Sequence, residues 1–278
     1  GVAEDDGNVS TPVPSTRIWL SSSTASKFSV RLNSFSDGSK HQIRQYDLIH
    51  CRIDQRPPGK PSEGRMDNSS APSAAKPAIT STSKSLGILS RRPDLSREYF
   101  QRYYETSHAP LGMCHYPFAK YVRNHVQGDV DPGFDTISEF WLDRQRAEAG
   151  FDPVRSGAIM DQDEMKFMDR SNKRAGSVTE YLLFGAQRIV EPEPANKLAI
   201  LLQRTPEVTD EEFLDKAATF GRRLSDESSG AVVRTMLDVV RVMPGGGVAS
   251  ASVPYLIVSY AGILWFWLKG SGGLSGIS

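Results

Sequence analysis

Part of this chain is written twice, and that limits what it can fold into more than any other feature. "LGILSRRPDLSREYF", from Leu86, returns as "LAILLQRTPEVTDEEF" from Leu198 with one residue inserted. "VRNHV" from Val122 returns as "VRTML" from Val233, and "ISEFWLD" from Ile137 returns as "ILWFWLK" from Ile263. Echoes that keep their order imply two copies of one supersecondary unit, so the fold must accommodate the same element order twice.

The first copy supplies that order. "KSLGILSRRPDLSREYFQRYY" reads as a short strand from Ser85, a turn at Pro93 and a helix with Ser96 as its N-cap. Phe100, Tyr103, Tyr104, Ser107 and Leu111 recur at helical spacing, which makes one face aromatic, and Pro110 and Gly112 are expected to end the helix. "KYVRNHV" and "FDTISEFWL" read as strands around the turn "QGDVDPG". "RQRAEAGFDPVRSGAIMDQDEMKFMD" is mostly helical, with Met165 and Phe167 or Met168 expected on its buried side and its carboxylates in solvent, and "SVTEYLLFG" is a last strand. The order β-α-β-β-α-β places the chain in the α+β class, as a ferredoxin-like unit with two helices on one face of an antiparallel sheet. After the "EPEPANK" linker the second copy stops at its third strand, so its sheet is expected to be incomplete and exposed at an edge.

The repeat also decides the one apolar run that raises a membrane question, "VPYLIVSYAGILWFWL". A spanning helix needs about 20 apolar residues. This run is shorter, is interrupted by Pro254, Ser259 and Gly262, and is the third strand of copy two. No membrane partner is therefore expected. Lysine plus arginine and aspartate plus glutamate both number 33, so no global field attracts polyanions and no nucleic-acid partner is expected. Cys51 and Cys114 form no CxxC pair and fit a reducing compartment, here the cytoplasm.

Ahead of the repeat, residues 1–84 are rich in serine, proline and glycine, and their apolar residues come singly or in pairs. Such a segment buries too little to offset an ordering entropy of about 1–2 kcal/mol per residue, and a disordered extension is expected. Met66 just ahead of the ordered part raises the alternative that residues 1–65 are a processed remnant or lie upstream of a natural start. "TRIWLSSSTASKFSVRLNSFS", basic and without acid, leaves organelle targeting open, although "AEDD" before it argues against it. The expected organisation is thus 1–84 extension, 85–190 first unit, 197–268 truncated second unit and 269–278 flexible tail.

Histidine is scarce, five in the chain, and His108 ends the aromatic helix with His125 close behind. Imidazole exchanges protons near neutral pH, which is general acid–base work; a histidine at a helix end also serves simply to meet the last carbonyls. Residue-by-residue alignment puts Gly221 in the place of His108 and Met236 in that of His125, so only the first copy carries the pair. Tyr103, Tyr104, Phe118, Tyr121, Phe140 and Trp141 either line a pocket for a planar ligand or pack as core. Phe140 and Trp141 are adjacent on a strand and face opposite ways. Glu139 shares the face of Trp141 and either orients a histidine or lies at an edge in solvent. His108, Cys114 and His115 have metal-ligand chemistry but no known metal spacing, and "PGGG" at 244–247 opens no helix, so no metal and no cofactor are expected.

"GILSRRPDLSREYFQRYYETSHAPL", "YVRNHV", "ISEFWLD" and "DEMKFMDRS" together resemble the EthD family of dimeric α+β barrel proteins, over roughly residues 85–185 and, as a degenerate echo, 197–268. The resemblance implies two ferredoxin-like sheets pairing into a barrel, either as a homodimer or as a pseudo-dimer within one chain. It implies a pocket for a small apolar, aromatic or polyketide-like substrate, as in secondary metabolism. The implied chemistry is acid–base dehydration or decarboxylation (a lyase), or cofactor-independent oxidation (an oxidoreductase). His108 would be the acid or base, His125 and Tyr104 its helpers, and Tyr103, Phe118, Tyr121, Trp141 and Glu139 would contact substrate. The alternative is a non-catalytic ligand-binding or assembly module that supports a partner oxygenase.

Overall fold

The computed structural model describes residues 17–21, 27–31, 48–53, 76–126, 131–187, 196–241 and 256–269. Three N-terminal strands, β1 (Arg17–Ser21), β2 (Lys27–Arg31) and β3 (Leu48–Ile53), precede a long β4 (Ala78–Leu89). One helical run follows, made of α1 (Arg97–Tyr103), a π turn (Tyr104–His108) and α2 (Ala109–His115), then β5 (Phe118–His125) and β6 (Thr136–Leu142). Helices α3 (Arg144–Glu148) and α4 (Pro153–Glu164) lead to β7 (Arg174–Gly185). The second half holds β8 (Asn196–Arg204), α5 (Asp210–Glu227), β9 (Val232–Arg241), β10 (Leu256–Ile257) and β11 (Gly262–Leu268). Strands β8-β11-β9-β7-β4-β6-β5 form one antiparallel seven-strand sheet in that order, and β10 pairs in parallel with β7.

The sheet is curled. Strands β8 and β5 stand at opposite ends of the seven, yet Lys197 Nζ on β8 donates to Asn124 Oδ1 on β5 at 3.1 Å. Only a sheet whose ends approach each other brings those atoms together, and the fold is α+β and barrel-like. Alternation then sorts the side chains. Leu86, Ile88, Ile137, Val178, Leu201, Met236, Ile263 and Trp265 fill the interior. On the outer face Leu89, Phe100, Tyr104, Phe118, Tyr121 and Phe167 pack beneath α1 and α2. Beneath α5 lie Ile200, Phe213, Ala217, Leu237, Leu264 and Phe266. Each fully buried ring or aliphatic side chain of this kind contributes about 1.5–3 kcal/mol.

Pairing registers set the two halves level differently from the sequence echoes. Lys84 pairs with Trp141 and Lys197 with Trp267; Leu86 pairs with Glu139 and Ala199 with Trp265. Ala199, not Leu198, therefore takes the place of Leu86, and no residue is inserted. Likewise Tyr121 pairs with Phe140 and Thr235 with Phe266, which sets Asn124 level with Asp238 rather than His125 with Met236. Because side chains alternate, that slip reverses faces. Met236 lies in the barrel, whereas His125 lies on the helix side against Phe100 and Tyr104.

Several expectations need correction. Strand β4 starts upstream of Ser85, since Lys84 and its neighbours are held in the sheet on both sides. Part of the segment expected to be a disordered extension is paired: β3 runs parallel to β8 and occupies the edge expected to be exposed, with β2 and β1 beyond it. The aromatic helix continues through Pro110 and Gly112, because the wider π turn, closed by Ala109 N–H to the Tyr104 carbonyl, admits the proline ring. Asp161, Asp163 and Glu164 are buried while Met165 is exposed. The start of the "EPEPANK" linker, "PGGG", Met66 and the tail beyond Lys269 lie outside the described residues, but Lys197 itself sits in β8.

Strand β7 is the seam, hydrogen-bonded to β4 on one edge and β9 on the other. Gly185 ends it with φ 79°, beside the Val233 carbonyl and with Arg234 Cα only 3.1 Å from where a Cβ would stand. Gly185→Ala is expected to destabilise by about 2–4 kcal/mol, from the left-handed backbone and the clash together, read as a lower urea midpoint with an unchanged slope.

Candidate functional site

The helix-side cluster is built by the π turn. Ser96 caps α1 by accepting from Tyr99 N–H, and the turn then widens over Tyr104–His108, bringing Tyr104 and His108 both to the sheet. Their ring centroids lie 4.9 Å apart, with Phe167 4.8 Å from the His108 ring. His108 is 5% exposed, and its Nδ1 lies 2.9 Å from Asp163 Oδ2. Tyr103 Oη donates to the other oxygen of Asp163 at 2.7 Å, and Lys166 adds a third bond. The hydrogen bond from His108, helped by those from Tyr103 and Lys166, overcomes burial and holds the Asp163 carboxyl well below the usual carboxylate range. An ionised carboxylate only accepts, so Nδ1 carries the proton and Nε2 is the atom left to exchange one.

Tyr104 is fully buried, and its hydroxyl is committed to protein partners. It accepts from Tyr121 Oη at 2.7 Å and, having one proton of its own, donates to Ser138 Oγ at 2.7 Å. Burial pushes the Tyr104 phenol well above its ordinary range, against its hydrogen bonds with Ser138 and Tyr121. His125 Nε2 lies 2.7 Å from Glu105 Oε1, which Arg123 also grips, and His125 Nδ1 is buried with no hydrogen-bond partner among the described residues. Partial burial would raise the Glu105 carboxyl, but the bonds from His125 and Arg123 bring it down to about 2. Phe118 stacks between Tyr116 and the Tyr121–Phe140 pair.

His108, His125, Tyr103, Tyr104, Phe118 and Tyr121 therefore share one face of the sheet. Trp141 and Glu139 do not join them; they turn into the barrel. Glu139, for which solvent was the safer expectation, is 1% exposed and sits in a charged core. There Lys84 Nζ meets Glu139 Oε2 at 2.7 Å, Glu180 Oε2 at 2.8 Å and both oxygens of Asp238 at 2.7 and 2.9 Å. Lys197 bridges Glu139 and Asn124. Trp265 Nε1 donates to Asp238 at 2.7 Å. Burial alone would strip the proton from Lys84, but the three carboxylates keep it firmly cationic. Burial would raise Glu139 too, but Lys197 and Lys84 hold it well below the carboxylate range. Burial pushes Asp238 up to about 6 against the pull of Lys84.

Sequence reading missed Asp163, Ser138 and Glu105, and of the interior network it named Glu139 but not Lys84, Lys197, Glu180 or Asp238. The one available signal was a lysine opening each apolar run, "KSLGIL" and "KLAILL". In the second half the places of Tyr104, Tyr121, Ser138 and His108 are taken by Ala217, Thr235, Leu264 and Gly221, and a Cβ on Gly221 would come within 2.7 Å of Leu183 and Leu264. No group of three or more metal-ligating side chains occurs among the described residues. Nor is any helix among them long and apolar enough to cross a membrane.

No family model matches the sequence. No curated protein matches it. Among solved structures, the chain is similar to a Bacillus halodurans protein described as belonging to the ethyl tert-butyl ether d (EthD) family. Identity is 20%, coverage is 34% of this chain and 96% of that one, and the TM-score is 0.27.

Two substitutions test these clusters. Lys84→Met leaves three carboxylates facing one another and is expected to destabilise by about 3–5 kcal/mol. Asp163→Asn is expected to cost about 1–3 kcal/mol at neutral pH. Because the folded-state pKa of Asp163 lies below its ordinary 3.8, its contribution is complete above that value and fades as pH falls through and below it. Urea titrations at stepped pH should therefore show a shallower acid decline in the variant than in the parent.

Proposed function

We propose that the first half of this chain performs acid–base chemistry on a small apolar, aromatic or polyketide-like molecule, with His108 Nε2 exchanging the proton and Asp163 fixing the ring. The observation carrying this reading is the buried His108–Asp163 pair set at a π turn among Tyr103, Tyr104 and Phe167. A hydrogen-bonded carboxylate orients imidazole and stabilises imidazolium, and proton transfer by a group so placed is worth about 10²–10⁴ in rate. Tyr104, its hydroxyl held between Tyr121 and Ser138, acts as a positioning residue, and His125, anchored on Glu105, borders the same ring. We further read the two halves as copies of one ferredoxin-like unit, of EthD type, fused into a pseudo-dimeric barrel. Dehydration and oxidation through a substrate carbanion would begin with a proton taken by His108, and decarboxylation would end with one returned by it to the carbon that CO2 has left.

A binding or assembly module is favoured by a different observation: the Tyr121–Tyr104–Ser138 chain is closed on itself and the rings around it pack against one another. Binding of a panel of phenols and aromatic polyketides, followed by product analysis, separates the two. His108→Ala is expected to lower turnover about 10²–10⁴-fold with ligand affinity kept, and Tyr104→Phe far less. Turnover that survives His108→Ala would remove the acid–base assignment, and tight binding with no product from any compound would establish the module.

A further inference from the structure

The barrel interior holds a second feature that this chemistry does not use. A cavity of about 100 Å³ is lined by three cationic side chains, Lys120, Lys197 and Arg234, by the carboxylates of Glu139 and Glu180, and by rings that include Trp141 and Trp267. Its walls follow the internal symmetry set by the pairing registers. Lys120 stands 4.8 Å over Trp141, and in the other half Arg234 stands 3.8 Å over Trp267. The symmetry fails at the amines. Lys84 is ringed by three carboxylates, one of them Glu180 from the seam strand β7. Its counterpart Lys197 meets one carboxylate, Glu139, and one amide, Asn124, and otherwise faces the rings of Trp265 at 3.9 Å and Trp267 at 4.6 Å.

We infer that this cavity binds a small oxo acid, whose carboxylate is held by Lys120 and Arg234 and whose carbonyl carbon is captured as an imine by Lys197 Nζ. The volume of about 100 Å³ restricts the ligand to a small molecule. The neutral amine adds its lone pair to the carbonyl carbon and the carbonyl oxygen takes up a proton, giving a carbinolamine. Loss of that oxygen as water then leaves the C=N bond. Amine and carbonyl become imine and water, and neither oxidant nor reductant is required. Glu139, touching Nζ, is placed to pass the protons. Burial pushes the Lys197 amine down to about 8, Lys84 working in the same direction against Glu139 and Asp238. At pH 8 about half of Lys197 is then neutral, against well under about one in a hundred for a surface lysine.

The test uses the full chain with glyoxylate and sodium cyanoborohydride at pH 8, followed by peptide mass mapping. Lys197 is expected to gain a carboxymethyl group about tenfold faster than the exposed Lys76 or Lys166, with Lys84 unmodified. Lys197→Arg should abolish the fast phase; should that variant not fold, the site map of the parent decides alone. Label confined to exposed lysines, or equal at Lys84 and Lys197, overturns the proposal. Acetaldehyde should modify Lys197 more slowly than glyoxylate, and equal rates would overturn the part assigned to Lys120 and Arg234.

Discussion

One ammonium group organises the barrel. Lys84 reaches from β4 to carboxylates on β6, β7 and β9, so a single buried charge ties strands of both halves to a common centre. Removing an ion from water costs several kcal/mol, and the cost is met only when geometry is close and the remaining lone pairs are satisfied. Here they are: Asn124 donates to Glu139, Thr80 to Glu180 and Trp265 to Asp238. An apolar barrel would tolerate a strand sliding by two residues. This one would strand a charge, so the network fixes register where hydrophobic packing alone would leave it loose.

The outer face works differently. Its polar groups form short chains that end on protein atoms, and the π turn sets their positions. Residues four apart share a helix face, so Tyr104 and His108 meet the sheet together, and the widened turn lets the helical run continue through Pro110. The second half, with an unbroken α5, presents Ala217 and Gly221 in those places and packs leucines against them. One half thus packs a polar cluster against the outer face of the sheet and the other packs small and apolar side chains there.

From Ser85 to Gly185 element order was legible because apolar spacing changes period sharply between strand and helix, whereas the strands ahead of it lie in polar, serine-rich sequence that carries no such period. Register was not legible. Leu198 and Ala199 are both apolar, and a match scored on residue type chose the wrong one. Hydrogen-bond pairing distinguishes them because neighbouring side chains point to opposite faces. The clustering of His108 with Tyr104 followed from helical spacing, but Asp163 did not: an acidic run reads as solvated unless its partners are known, and His108 and Tyr103 are distant in sequence. Lys84 and Lys197 were passed over for the same reason, since a charge at the start of a strand ordinarily marks its end at the surface.

The double bonding of β7 has a further consequence. β7 closes the ladder of the first copy and also pairs with β9 of the second, so the boundary between the sequence copies runs through one continuous sheet. Separated, the first half would present the whole outer edge of β7 as an open template, and the second would lose the neighbour of β9. The seven-strand sheet is therefore expected to open as one unit, with amide protons on the two flanks of β7 among the slowest to exchange with solvent.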